Sequence, residues 1–220
     1  MGYDLHISRA LQWTDSGFFP IPASDVVSLV ELSADLTLRD EAEGGLTVDC
    51  LGWSLRYAEG ELSAKQPPDP VIRRMLDLAA ELDAWVTGDD GEVYERDGGS
   101  GVRRRERDEE DLPGDPLYLS RDDLDADPIS NEEWLAAAGE QADFRIDTTI
   151  RAKLPSGVAW IPCPPVACWT GHPSGDPVWC FHDEDLVEVR GDDPDTVRRM
   201  TALAVGMGAE VLRWDGQPAR

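Results

Sequence analysis

Positive charge is what this chain has least of. Of its 220 residues only 20 are basic, Lys65 and Lys153 are the only lysines, and 45 Asp and Glu leave a formal net charge of −25. A surface of that sign repels nucleic-acid phosphates and anionic lipid, so neither is expected as a partner, whereas basic proteins and cations are attracted. Long apolar runs are also missing. None reaches the roughly 20 residues of a spanning helix, and the opening Met1-Gly2-Tyr3-Asp4 has no basic stretch leading into an apolar one, which together predict a cytoplasmic protein. Cysteine is sparse and uneven: Cys50 stands alone in the first half and Cys163, Cys168 and Cys180 lie in the second, which predicts free thiols and no shared disulfide framework. Phosphate-binding glycine loops, nucleophile elbows, zinc-protease helices and kinase signatures are all absent, so no cofactor is expected.

What is present often occurs twice. Ala34-Asp35-Leu36-Thr37-Leu38 is answered by Ala142-Asp143-Phe144-Arg145-Ile146, Arg73-Arg74-Met75 by Arg198-Arg199-Met200, and Ser8-Arg9 by Ser120-Arg121. The repeat divides the sequence into residues 1–94, a charged glycine-rich linker at 95–115, and residues 116–220. Each repeat is of a size that buries its own core. Acidity is spread over all three segments, with 18 acidic and 6 basic residues in the first, 8 and 5 in the linker, and 19 and 9 in the last.

Within a repeat the hydrophobic period changes in a fixed order. Tyr3, Leu5 and Ile7 alternate with polar residues as in a half-buried strand, and Leu117-Tyr118-Leu119 is the second version. A short helix follows through Val26 and Val30 or through Trp134, Leu135 and Ala138, where Ser130-Asn131-Glu132-Glu133 has the form of a capping box. Next come a short strand and a hairpin turned at Glu59-Gly60 or at Glu184. A helix then starts at Asp69-Pro70 or Asp193-Pro194, each aspartate placed as an N-cap. A last strand ends at Asp90-Gly91 or Asp215-Gly216. The expected fold is α+β: two tandem repeats, each a mainly antiparallel sheet with two helices on one face in the order β-α-β-β-β-α-β, loosely ferredoxin-like.

The duplication also sorts the candidate sites, because each can be asked whether both copies carry it. Asp89, Asp90 and Glu92 cluster carboxylates in a turn and are candidate ligands for a divalent metal, yet the second copy has Trp214-Asp215-Gly216-Gln217 there and keeps only the turn. Cys163, Cys168, His172, Cys180 and His182 offer zinc-type ligands, but at no established finger spacing. His6 sits in the first strand with no nucleophile assignable to it. Trp160 to Trp169 is apolar and proline-rich and has no counterpart of that length in the first copy. Its tryptophans, with His172 and Trp179, are candidate partner-binding residues, and a buried strand connection is the competing reading.

The opening Tyr3-Asp4-Leu5-His6-Ile7-Ser8-Arg9, the helix start Glu132-Glu133-Trp134-Leu135 and Gly88-Asp89-Asp90-Gly91-Glu92-Val93-Tyr94 together resemble a group of small uncharacterised bacterial proteins, here as two fused copies. The resemblance covers most of the first copy and part of the second, which departs at Tyr118 and Trp214. It implies a fold unit and a bacterial origin, and no catalytic residues. The expected function is therefore a non-enzymatic acidic binding module, of the immunity or antitoxin kind, that occludes a basic protein such as a toxin. The alternatives are a metal-dependent hydrolase using Asp89, Asp90 and Glu92, and a structural or regulatory module whose acidity follows the salt of its host.

Overall fold

β1 (Asp4–Ser8) sets the plan of the first sheet. Leu5 and Ile7 are apolar and fully buried while Asp4, His6 and Ser8 are polar, and this two-residue period gives the sheet an apolar core face and a polar face. The computed structural model describes residues 3–40, 45–99, 101–106, 115–121 and 127–219. They form two units, one of residues 1–111 with 150–163 and one of 112–149 with 164–220.

In the first unit, β2 (Leu36–Asp40), β3 (Leu46–Cys50), β4 (Trp53–Ala58), β5 (Glu61–Lys65), β6 (Trp85–Gly88), β7 (Val93–Arg96) and β8 (Val102–Arg105) join β1 in the order β2-β3-β4-β5-β1-β6-β7-β8, and all neighbours are antiparallel. Helices α1 (Ala23–Leu32) and α2 (Asp69–Leu82) pack Val26, Leu29, Val71, Met75 and Leu78 into one cluster with Leu5, Ile7, Val48, Leu55 and Leu62. Removing such side chains from water is the main favourable term in the fold.

The second unit has β9 (Leu117–Ser120), α3 (Asn131–Gly139), β10 (Phe144–Leu154), β11 (Gly157–Trp169), β12 (Val178–Asp183), β13 (Leu186–Val189), α4 (Pro194–Gly206) and β14 (Glu210–Arg213). Its sheet runs β10-β11-β12-β13-β9-β14. Trp134, fully buried, fills the centre of the core with Phe144, Met200 and Leu203 around it. Residues 150–163 of the β10–β11 hairpin belong to the first unit, where the Trp85 indole N–H donates to Lys153 O and Ser156 N–H donates to Asp83 Oδ1.

Among the described residues the architecture is thus mixed α+β with two antiparallel sheets and four α-helices. Three expectations need correcting. Four strands, not three, lie between the helices of each unit: β3 is short and its alternation is broken by Asp49, while the proline-rich run 157–169 is strand β11 despite three prolines. β1 lies between β5 and β6 and is antiparallel to both, so the parallel β-α-β pair of a ferredoxin-like sheet is not formed. The boundary at 94 falls inside β7, and residues 95–106 are not a coil linker. Glu95 meets Arg103 and Arg105 across a β7–β8 hairpin, and Asp97 accepts from the N–H groups of Gly99 and Gly101 in its turn. The charged run was read as a linker, whereas Glu95 meets arginines 8 and 10 residues on by cross-strand pairing. The rest of the expected linker, 107–114, lies outside the described residues.

Two of the expected caps form as the sequence places them. Asp193 Oδ1 accepts from the N–H groups of Asp195 and Thr196, and Ser130 accepts from Glu133 N–H, whereas α1 starts after Pro22 without a capping group. Asp69 is the first helical residue and not a cap, because Pro68 in extended conformation already ends the preceding segment.

Candidate functional site

His6 projects from the polar face of β1 and is 5% exposed. Its Nδ1 lies 2.8 Å from Glu61 Oε1 on β5, and its Nε2 lies 3.1 Å from Asp89 Oδ1 in the turn after β6. A carboxylate thus faces each ring nitrogen, an arrangement that favours the protonated ring. Trp13, in a single 3-10 turn (Trp13–Asp15), stacks on it with centroids 4.4 Å apart and planes 5° from parallel. Burial opposes the charge, but the hydrogen bonds and charges of Glu61 and Asp89 outweigh it and raise the His6 pKa above its ordinary 6.5. Burial also opposes ionisation of Asp89, and there the Asp4 N–H bond and His6 win, holding the carboxyl below its usual range. Chemically this is a clamp. A ring engaged by a carboxylate at each nitrogen leaves neither nitrogen free to act as a base.

Glu92 belongs to a different group. Its buried carboxylate accepts from the Tyr94 hydroxyl at 3.2 Å and faces Arg104 Nε at 3.5 Å, and the Tyr3 and Tyr94 hydroxyls are 3.2 Å apart. A Cβ on Gly88 would stand 1.8 Å from the Tyr3 hydroxyl oxygen, so the group needs glycine there. Burial, with the neighbouring Glu92 charge, pushes the Tyr94 pKa up to about 12. Asp89, Asp90 and Glu92 therefore do not converge: Asp89 serves His6, Glu92 serves Tyr94 and Arg104, and Asp90 is exposed. Among the described residues no three His, Cys, Asp or Glu side chains are placed to hold a metal. The cysteine and histidine run also separates. Cys168 and Cys180 are packed in the second unit, where burial pushes their thiols up, Cys168 to about 11. His182 Nε2 bonds Ile129 O at 2.6 Å.

The second unit has its own polar constellation, built between the end of α3 and the start of β10. Arg199 on α4 grips Asp143 with Nε and Nη2 at 2.8 and 2.7 Å, donates to Gln141 Oε1 at 3.0 Å, and lies 5.1 Å above the Phe144 ring. The Trp169 indole N–H donates to the same Asp143 at 2.8 Å, and His172 meets the Trp169 ring edge-on at 5.2 Å. The Arg199 bonds, with help from the Trp169 bond, hold the Asp143 carboxyl below its usual range although burial opposes its ionisation. His172 Nδ1 accepts from Ser174 N–H, which places the ring proton on Nε2, 3.1 Å from Asp193 Oδ1. Burial opposes ionisation of Asp193, but the Thr196 hydroxyl, His172 and the helix N–H groups it caps drive its pKa far below the usual range.

No known protein family, curated protein or solved structure matches this chain.

Of the four expected partner-binding residues, Trp169 and His172 are brought together, and Trp169 is buried. Trp179 is half-buried in β12, and Trp160 is 58% exposed in the part of β11 that belongs to the first unit. Glu61, Asp143 and Arg199 were not read from the sequence as members of a polar site, and Asp193 was read only as a helix cap. Two of them carried a signal, because the doubled Ala-Asp and Arg-Arg-Met runs are the two ends of one ion pair in each unit: Asp35 with Arg74 at 2.8 and 2.9 Å, and Asp143 with Arg199.

Proposed function

We propose that this chain is a non-enzymatic binding module for a basic protein, built on a duplicated α+β scaffold, and that its mode is occlusion of the partner in the manner of an immunity protein. The observation that carries this reading is how its few cations are used. Arg9 donates to Leu82 O and Asp25, Arg121 to Met207 O and Glu133, and Arg74, Arg96, Arg145 and Arg199 each hold a carboxylate of their own unit. Each such pair neutralises one carboxylate with one cation, so the excess of 45 acidic over 20 basic residues is left to set the long-range field. The remaining surplus of carboxylates gives long-range attraction for a basic surface and a fast, salt-sensitive association. The groups that could serve chemistry support the same reading, since His6 is bonded on both nitrogens and the Cys168 and Cys180 thiols are buried.

The doubled arginines support duplication of the scaffold. Arg9 and Arg121 each follow the strand-end serine, cap the carbonyl at the C-terminal end of the last helix, and reach a carboxylate in the first turn of the first helix. The six strands β2-β3-β4-β5-β1-β6 and β10-β11-β12-β13-β9-β14 follow one another in the same relative order.

The test is calorimetry of the purified protein against the products of the genes encoded beside its own, at low and at high salt. Binding of a basic product that weakens steeply with salt is the expected result. Failure to bind any basic neighbour at low salt overturns the proposal.

A further inference from the structure

The β3–β4 and β11–β12 hairpins hold the same rank in their sheets, but they are closed differently. Cys50 pairs with Trp53 across the two-residue turn Leu51-Gly52, whereas Trp169 pairs with Val178 across the eight residues 170–177. Two residues therefore suffice for the connection. The longer loop is also not slack. Thr170 donates to Asp143 O through both its N–H and its hydroxyl, His172 is held by Ser174 and Asp193, and Gly175 N–H closes a turn on His172 O. A Cβ on Gly171 would stand 2.8 Å from Trp169 Nε1 and 3.1 Å from Asp143 Cβ, so the loop approaches its support as closely as glycine allows.

Held in this way, the loop forms one wall of a cleft of about 300 Å³ whose other wall is α4. Trp169, Pro173 and Ala202 give it an apolar lining, and Arg198, Arg199 and Asp195 a charged one with two cations to one carboxylate. Arg199 uses Nε and Nη2 on Asp143 and Gln141, and Nη1 has no bonding partner among the described residues. Arg198 has a side chain 75% exposed and, among the described residues, holds only Asp195, one turn away on the same helix, a water-exposed pair that is weak and easily exchanged. A guanidinium fork beside a flat apolar wall recognises a carboxylate carried on an apolar body. The volume is at the small end for ligand sites, which suits a single ring.

We propose that this cleft binds a small aromatic carboxylate, with the carboxylate on Arg198 and Arg199 Nη1 and the ring against Pro173, Ala202 and the edge of Trp169. The site is independent of the acidic surface, and its ligand is an anion where the proposed partner is a cation.

The experiment is an amide-resolved NMR titration of the full-length protein with phenylacetate, with phenylacetamide as the uncharged control and the tripeptide Gly-Gly-Phe as a peptide carboxylate. Phenylacetate is expected to shift residues 169–174 and 198–202, and phenylacetamide to bind about tenfold or more weakly. Ala202→Leu fills the cleft from an exposed helix position, and Arg198→Gln removes the accessible fork; each should weaken phenylacetate about tenfold while leaving the rest of the spectrum in place. Absence of shifts in the cleft, equal binding of the amide, or unchanged affinity in both variants overturns the proposal. Tighter binding of Gly-Gly-Phe than of phenylacetate overturns the small-molecule assignment in favour of a peptide's C-terminal carboxylate.

Discussion

The two units use the same arginines for the same purpose and differ in what surrounds them. Arg74 and Arg199 occupy one place on the second helix of each unit, and both close a bidentate pair on the aspartate that precedes the first strand after the first helix. In the first unit the pair stands nearly alone, with Glu81 3.8 Å away. In the second it has gained Gln141, the Phe144 ring, the Trp169 indole and, through His172, the cap of α4. The first unit places its polar network elsewhere, on the open face of β1, where the second unit has Tyr118 in place of His6. Two sheets whose strands follow the same relative order therefore carry their polar networks in different places. The arginines that tie helix to strand are common, and the residues that could carry specificity are not.

The sharpest test of equivalence is the core. Trp134→Ala removes the largest fully buried side chain of the second unit and should cost about 3–5 kcal/mol, whereas Met75→Ala and Met200→Ala, in matching helix positions, should each cost about 2–5 kcal/mol and agree with one another. Denaturant unfolding followed by tryptophan fluorescence reads all three, and a large difference between the two methionines would break the comparison. Next in size, Arg199→Ala should destabilise its unit by about 2–3 kcal/mol and Arg74→Ala by about 1 kcal/mol, because only the first leaves a second hydrogen-bonded layer without its centre. Equal losses would mean that Gln141, Phe144 and Trp169 add nothing.

Gly88→Ala should cost about 1–3 kcal/mol from the clash with Tyr3 and Glu92, read as a lower midpoint of thermal unfolding. The His6 clamp predicts a pH dependence confined to the first unit. Because the folded pKa is raised above 6.5, the stabilisation is complete below 6.5 and is lost as pH rises through the folded value; the lowered Asp89 pKa adds stability above the ordinary carboxylate range that is lost in acid. Histidine ring NMR should show His6 titrating above 6.5, and in His6→Gln the alkaline loss should vanish. The smallest effect has the opposite sign. Leu51 holds a φ of 53° while 58% exposed, so Leu51→Asn should stabilise the first unit by up to about 1 kcal/mol, measured by the same denaturant midpoint.

How much of this could be read in advance depends on separation in sequence. The strand faces, the helix faces and the Asp193 and Ser130 caps follow from residues within four positions of each other, and they were legible. The pairing of Arg74 with Asp35 and of Arg199 with Asp143 was not read, although both runs repeat, because the partners lie 39 and 56 residues apart. β3 was missed because Asp49 breaks its alternation, and β11 because Pro162, Pro164 and Pro165 argue against a strand. Glu133 was read as the return arm of a capping box, yet its carboxylate goes to Arg121, because a fixed guanidinium offers a stronger bond than a frayed helix N–H.

By itself the sequence determined the α+β class, the acidic balance, the two cores and which side of β1 His6 occupies, since local periodicity and composition are properties of neighbouring residues. Tertiary structure alone decided what His6 meets there, 55 residues on at Glu61 and 83 on at Asp89, and that Glu92, three residues beyond Asp89, turns to another group. The physical reason is register. Alternation fixes the face a side chain points to, but its partner is set by how non-adjacent strands slide against one another, and a slip of one residue would exchange every contact on that face.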